Sequence, residues 1–82
     1  MTENEKADAF LENAGYYEAM EKLKRAGWYF TGNSHFGKDE SDNVISADLK
    51  MSRLDGGGTG TLEIRPSPKG SKEKYTLTFR QP

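Results

Sequence analysis

Residues 45–65 of the chain read ISADLKMSRLDGGGTGTLEIR, and this stretch decides the fold. Apolar and polar side chains alternate from Ile45 to Ser52, which is typical of a strand with one buried face. After the glycines, Leu62 and Ile64 repeat the alternation. Because glycines between two such segments favour a tight connection, the stretch predicts an antiparallel β-hairpin.

A two-residue loop at Gly56-Gly57 predicts one register for this hairpin. It places Met51 opposite Leu62 on the core face and Lys50 opposite Glu63 on the other face. A slip of one residue would exchange the two faces and separate all these pairs, so we expect this register. The remaining predicted pairs are Leu49 with Ile64, Asp48 with Arg65 and Ser52 with Thr61.

One further strand is predicted on each side of the hairpin. Tyr75, Leu77 and Phe79 alternate with polar residues. A tight turn at 67–70, which contains Pro and Gly, would pair Leu62 with Tyr75 and Glu63 with Lys74. Trp28 to Thr31 predicts a short first strand with Trp28 and Phe30 facing the core, and 32–43 is polar enough to predict a loop. The sheet is thus predicted to be an antiparallel meander of three strands, or of four where 28–31 joins it.

The N-terminal residues predict a helical segment that is interrupted near Gly15. Thr2 and Glu5 have capping-box spacing, which starts a helix at about Glu3. The apolar stripe before Gly15 is rotated by about a third of a turn from the stripe after it, and a straight helix could not bury both. Gly15 and Gly27, each followed by an aromatic residue, are typical of Schellman endings. The segment is therefore either two short helices or one sharply kinked helix. The two stripes are Ala7, Phe10, Leu11, Ala14 and Tyr16, Tyr17, Met20, Leu23.

Together these patterns predict a single α+β domain over residues 1–82. Residues 1–27 form the helical segment, which packs on an antiparallel sheet built by residues 28–82. A chain of 82 residues has room for one core. With 33% hydrophobic residues and nine aromatic side chains, that core is lean, so the molecule is expected to be either a monomer or a homodimer that gains stability by association.

Composition also limits the cellular setting. The chain has no cysteine, which removes disulfides, thiolate zinc sites and cysteine nucleophiles and fits a reducing compartment. The first twelve residues lack a basic and apolar leader pattern, and no stretch approaches the ~20 apolar residues that span a bilayer. We expect a cytoplasmic protein that does not enter membranes.

The net charge of −1 conceals an asymmetry between the two halves. Residues 1–43 carry nine acidic and five basic side chains, whereas residues 44–82 carry four acidic and seven basic ones. Such a division indicates either attraction between the halves within the fold or an acidic partner for the basic half.

No group of residues predicts catalysis, metal binding or a cofactor. The run Gly56 to Gly60 has no following Lys and leads into a strand, so a hairpin is favoured over a phosphate loop. Gly60 is expected to make room for a neighbouring aromatic ring such as Phe79. His35 is the single histidine and lacks partners for a triad or a zinc site. The acidic residues of 39–43 lack the spacing of a calcium loop, and the protein is not expected to be an enzyme.

Two binding functions remain as hypotheses. The first is a protein-binding module, an inhibitor, adaptor or accessory factor that occupies a surface on a larger partner. Phe36 would be an exposed anchor in that case, or would instead close one end of the core. The second is nucleic-acid binding by the basic C-terminal half, although Tyr75 and Phe79 are predicted to face the core rather than stack on bases. The residues proposed for a protein partner are Tyr17, Tyr29, His35 and Phe36, and those for nucleic acid are Arg53, Lys69, Lys72, Lys74 and Arg80.

Overall fold

The structure, a computed structural model, describes residues 2–82 and has the predicted α+β architecture. Two helices precede a four-stranded antiparallel sheet in which neighbouring strands are consecutive in the chain. Apolar residues of both helices pack on the same face of the sheet, and the opposite face is open to solvent. The elements are α1 (Glu3–Asn13), α2 (Tyr16–Arg25), β1 (Trp28–Lys38), β2 (Val44–Arg53), β3 (Thr59–Pro66) and β4 (Tyr75–Arg80).

The helical segment is two helices, and the predicted break at Gly15 is confirmed. Thr2 caps α1 by accepting a hydrogen bond from the Glu5 amide at 3.2 Å. Gly15 has φ of 81°, and its amide donates to Glu12 O at 3.2 Å, one of the two hydrogen bonds of a Schellman ending. The same bond ends α2, where the Gly27 amide donates to Lys24 O at 3.0 Å. None of the helices in residues 2–82 is long and apolar enough to cross a membrane.

The core lies between the two helices and the middle of the sheet. Leu49, Met51 and Ile64 are the largest fully buried side chains. Phe10 of α1 covers one end of this core and Met20 of α2 the other, beside Trp28. The remaining buried apolar residues are Ala14, Ala47 and Leu62.

The predicted register of β2 and β3 is wrong by two residues. Met51 lies opposite Gly60 instead of Leu62, because the ladder continues to Arg53 and Gly58 and leaves the four residues 54–57 in the loop, rather than Gly56 and Gly57 alone. The Arg53 amide donates to Gly58 O at 3.0 Å and closes this longer loop. Since the shift is even, each side chain keeps its predicted face. The pairs that replace the predicted ones are Leu49 with Leu62, Lys50 with Thr61, Asp48 with Glu63, Ser52 with Thr59 and Ala47 with Ile64.

The pairing of β3 with β4 also differs from the prediction. Leu62 lies opposite Phe79 rather than Tyr75, and Glu63 lies opposite Thr78 rather than Lys74. A turn closed by the Ser71 amide and Pro68 O is present, at 3.1 Å, but it lies inside a longer connection. The shift of four residues again leaves the core face unchanged.

The first strand is much longer than predicted. β1 continues to Lys38, so His35 and Phe36 lie in a strand and not in a loop. Its register with β2 shifts between Phe30 and Ser34, where Gly32 has φ of 93°. This bulge interrupts the alternation by which a strand is recognised in the sequence.

A second register shift, between Gly37 and Lys38, changes which residue of β2 reaches the core. Val44 packs against the core, whereas Ile45, expected on the core face, is 37% exposed. At this shift β2 has one more residue than β1. The regular alternation of core-facing and solvent-facing side chains in β2 therefore begins one position later than the sequence pattern indicates.

Candidate functional site

The four residues predicted to anchor a protein partner do not form one surface. Tyr29 is 43% exposed and lies opposite Ser52 on the solvent face of the sheet, and His35 is exposed on the same face opposite Asp48. Phe36 is half-buried and packs on the core, so the alternative in which it closes one end of the core is the observed one. Tyr17 is exposed on α2 and contacts the ring of Tyr16.

The basic residues predicted to bind nucleic acid are partly engaged by acidic neighbours. Arg80 forms an ion pair with Glu63 at 2.7 Å. Arg53 pairs with Asp55 at 3.2 Å and lies over the ring of Trp28. Lys69, Lys72 and Lys74 occupy the connection from β3 to β4 and form no ion pair within residues 2–82.

Apart from Tyr29 and His35 on β1, the solvent face of the sheet consists mainly of hydroxyl groups and paired charges. Arg65 donates to the Asp48 carboxylate at 2.7 Å, and Lys50 donates to Thr61 Oγ1 at 3.3 Å. A shallow groove of about 560 Å³ on this face is lined mainly by threonine, serine and other polar side chains, including Lys50, Glu63 and Arg80. This face has no aromatic side chain in its groove on which a nucleic-acid base could stack, as far as residues 2–82 are concerned.

The carboxylates of the acidic turn between β1 and β2 accept hydrogen bonds from other residues of the protein. The Asn43 amide donates to Asp39 Oδ1 at 2.9 Å, and this backbone hydrogen bond is the main reason that the pKa of Asp39 lies below its usual range. The pKa of Asp42 is also lowered, by hydrogen bonds from Lys6 and Lys38. No group of three or more His, Asp or Glu side chains in the described part of the chain could hold a metal ion.

A second groove lies on the helical side, between α2 and the last strand. It has a volume of about 420 Å³, and we call it the edge groove. Leu77 and Phe79 of β4 are only partly buried, so the two helices leave part of the core face of β4 uncovered. The apolar and aromatic lining is Ala14, Ala19, Leu23, Leu62, Tyr75, Leu77 and Phe79, and the polar rim is Glu18, Lys22 and Glu73.

β4 borders the edge groove and is the last strand of the sheet, with no strand of residues 2–82 on its outer side. The Ser67 amide donates to Lys74 O at 3.0 Å, which makes this a hydrogen-bonded pair of the ladder. Since such pairs alternate in an antiparallel ladder, Thr76, Thr78 and Arg80 direct their backbone groups to β3. Tyr75, Leu77 and Phe79 therefore direct theirs to the free side, which we call the β4 edge.

The opposite edge of the sheet is less suited to receive another strand. β1 carries two register shifts, and its bulge at 31–33 is held by Thr31, whose hydroxyl donates to Lys50 O at 3.1 Å and accepts from the Asn33 amide. Bulges of this kind protect natural sheet edges from pairing. β4 pairs with β3 without any register shift, so the β4 edge is the regular one.

The edge groove and the β4 edge were not predicted from the sequence. The alternation in 75–79 places three apolar residues on the core face, but whether a helix covers them depends on where α2 packs. A feature that could have indicated an uncovered part of the sheet is the small number of helices: two helices of 11 and 10 residues precede four strands. A helix is about 10 Å wide and strands are about 4.8 Å apart, so short helices that cross the sheet obliquely leave part of it open.

Comparison with known proteins adds no further constraint. No protein-family model, curated protein or solved structure matches this chain.

Proposed function

We propose that the protein is a small non-enzymatic binding module that captures an extended segment of a partner protein as an additional strand on β4. The observation that carries the proposal is the combination of a regular free edge with an apolar groove beside it. The partner's backbone would hydrogen-bond with Tyr75, Leu77 and Phe79, and its alternate side chains would lie in the edge groove.

The chemistry of the site specifies the occupant. The core face of β4 presents apolar side chains at every second position, so the bound segment should carry apolar residues at alternate positions. Thr76 and Thr78 occupy the solvent face of the same strand, which favours polar residues at the intervening positions. Binding by strand addition suits an inhibitor, adaptor or accessory factor. A chain without cysteine fits the cytoplasm, because disulfides rarely stabilise proteins in that reducing compartment.

Nucleic-acid binding is the second candidate, and one observation favours it. Lys69, Lys72 and Lys74 lie close together in sequence on one connection and are not neutralised by an ion pair within residues 2–82. Arg53 and Arg80, in contrast, are paired with carboxylates. The basic surface is thereby smaller than the composition suggests, which supports the protein-binding proposal.

The test is selection of peptides from a display library on the wild-type protein, followed by titration of the selected peptides. We expect peptides with alternating apolar residues, chemical-shift changes at the amides of Tyr75, Leu77 and Phe79, and at least tenfold weaker binding to Leu77→Lys. Thr59→Lys places the same charge on the solvent face of β3, away from the β4 edge, and should bind as the wild type does.

Two outcomes would contradict the proposal. One is a set of selected peptides whose binding is unchanged by Leu77→Lys. The other is tight binding of mixed oligonucleotides that weakens steeply with salt and is reduced by Lys69→Gln and Lys72→Gln, which would establish the nucleic-acid function instead.

A further inference from the structure

The sequence of β4 and its flanking lysine is chemically palindromic. Residues 74–80 read KYTLTFR, so a basic residue, an aromatic residue and a threonine precede Leu77, and a threonine, an aromatic residue and a basic residue follow it. An antiparallel pair of two identical strands places residues opposite each other symmetrically about its centre. A strand with this sequence is therefore complementary to a second copy of itself when the centre is Leu77.

We propose that a second copy of this chain occupies the β4 edge, with the two β4 strands antiparallel about a two-fold axis at Leu77. This inference rests on the proposed function, because it uses the same edge and the same groove. It identifies one partner of that site as the protein itself and predicts a continuous eight-stranded sheet in the dimer.

The backbone geometry suits this pairing. Tyr75, Leu77 and Phe79 are the residues whose amide and carbonyl groups face the free side, as the ladder with β3 requires. In the symmetric register, Leu77 faces Leu77 of the second copy, and Tyr75 faces its Phe79. Every outward-facing group of these three residues then has a partner, which gives six backbone hydrogen bonds across the joint.

The side chains match on both faces. The odd-numbered residues of β4 all lie on the core face, so the two edge grooves meet at the joint and apolar side chains face apolar ones. On the solvent face, Thr76 lies opposite Thr78 of the second copy, a favourable β-branched pair. Neither face requires an apolar residue to lie opposite a polar one.

The charges at the ends of the joint make it sensitive to salt. Lys74 would lie opposite Arg80 of the second copy, and like charges in this position weaken a strand pair. Arg80 is already paired with Glu63 at 2.7 Å, which offsets much of that repulsion. Six residues span only about 20 Å of strand. We therefore expect a reversible dimer that salt strengthens, rather than an obligate one.

Analytical ultracentrifugation over a range of concentrations tests the pairing. The wild type should pass from monomer to dimer, whereas Leu77→Lys and Leu77→Glu should each remain monomeric, because two like charges would meet at the axis. An equimolar mixture of these two variants should form a heterodimer, since opposite charges then face each other. Thr59→Lys, on the solvent face of β3 and outside the joint, should dimerise as the wild type does.

A thiol variant tests the same geometry without a charge in the groove. The Cα atoms of a hydrogen-bonded antiparallel pair are about 5.5 Å apart, within the span of a disulfide. Since the chain has no cysteine, Leu77→Cys introduces a single thiol, which should oxidise rapidly to a covalent dimer. Thr78→Cys should form far less, because it lies diagonal to its counterpart and not opposite it.

The pairing is overturned if the wild type stays monomeric at its highest soluble concentration. It is also overturned if the dimer persists in both charged variants, or if Leu77→Cys and Thr78→Cys cross-link equally. A monomeric wild type that still binds the selected peptides at β4 would refute the dimer and leave the proposed function standing. Loss of both peptide binding and dimerisation would refute both.

Discussion

Gly60 shows how one residue without a side chain can determine the packing of a sheet. It is buried on β3 opposite Met51, and a methyl group added there would lie 2.5 Å from Phe79 Cζ and 3.1 Å from Arg80 O. The expected close approach of the Phe79 ring to Gly60 is confirmed. The ring uses this space to contact Trp28 edge to face, with centroids 4.8 Å apart.

We predict that Gly60→Ala lowers the free energy of unfolding by about 1–3 kcal/mol, because the methyl group overpacks a site that includes backbone. Urea denaturation followed by Trp28 fluorescence measures the change. The control is Gly57→Ala in the β2–β3 connection, where the nearest atoms to the added methyl are the side-chain carboxylate of Asp55 and no backbone. Equal stability of Gly60→Ala and the wild type would show that Phe79 does not depend on this space.

At the scale of elements, the junction between α1 and α2 follows from local chemistry. Gly15 adopts a left-handed conformation that other L-residues disfavour, and nothing lies within 4 Å of a methyl group added to it. The requirement for glycine at this position is therefore conformational and not steric. It lets α1 and α2 each turn an apolar face toward the same sheet.

We predict that Gly15→Ala destabilises the protein by about 1–2 kcal/mol, the cost of a left-handed conformation for an L-residue. Asn adopts this conformation more readily, so Gly15→Asn should cost less than Gly15→Ala. Thermal melts of the three proteins by far-ultraviolet circular dichroism give the ranking. The reverse order would mean that the helical segment can straighten.

At the scale of the whole molecule, the charges are neutralised locally. The six ion pairs within residues 2–82 each join two residues of the same half, either 2–43 or 44–82. Glu3 of α1, for example, pairs with Lys38 at the end of β1, and Asp42 pairs with Lys6 and Lys38. Attraction between the halves, one of the two explanations for their charge asymmetry, is thus not expressed as ion pairs between them.

We predict that salt changes the stability of the monomer very little. Raising the salt from about 0.1 M to about 1 M shortens the Debye length from about 10 Å to about 3 Å, which screens exposed ion pairs. Such pairs contribute little each, so the free energy of unfolding of monomeric Leu77→Lys should change by less than about 1 kcal/mol. Urea denaturation with sodium chloride measures it. A larger loss would reveal long-range attraction between the halves.

Features that depend on neighbouring residues were determined by the sequence alone. The start of α1 at Thr2, the break at Gly15 and the end of α2 at Gly27 all follow from caps within one helical turn. The faces of β3, β4 and of β2 from Ala47 onward follow from alternation, which any even shift of register preserves. The closeness of Gly60 and Phe79 was also predicted, because both residues lie on the core face of neighbouring strands.

The register itself was decided by tertiary structure. Several loop lengths are compatible with three consecutive glycines, and they differ by even shifts that the alternation cannot distinguish. Complementary charges also failed to distinguish them, because long side chains reach diagonal partners. Arg65 pairs with Asp48 at 2.7 Å although Glu63 is the residue directly opposite Asp48.

The length of β1 and the exposure of the edge groove were likewise tertiary outcomes. The polar stretch that contains His35 has no strand pattern of its own, and it is extended because β2 offers it a hydrogen-bonding edge. Leu77 and Phe79 follow the pattern of buried residues, yet they remain partly exposed because α2 packs nearer to β1. Local sequence specifies which face a side chain takes, whereas the packing of distant elements specifies what, if anything, covers it.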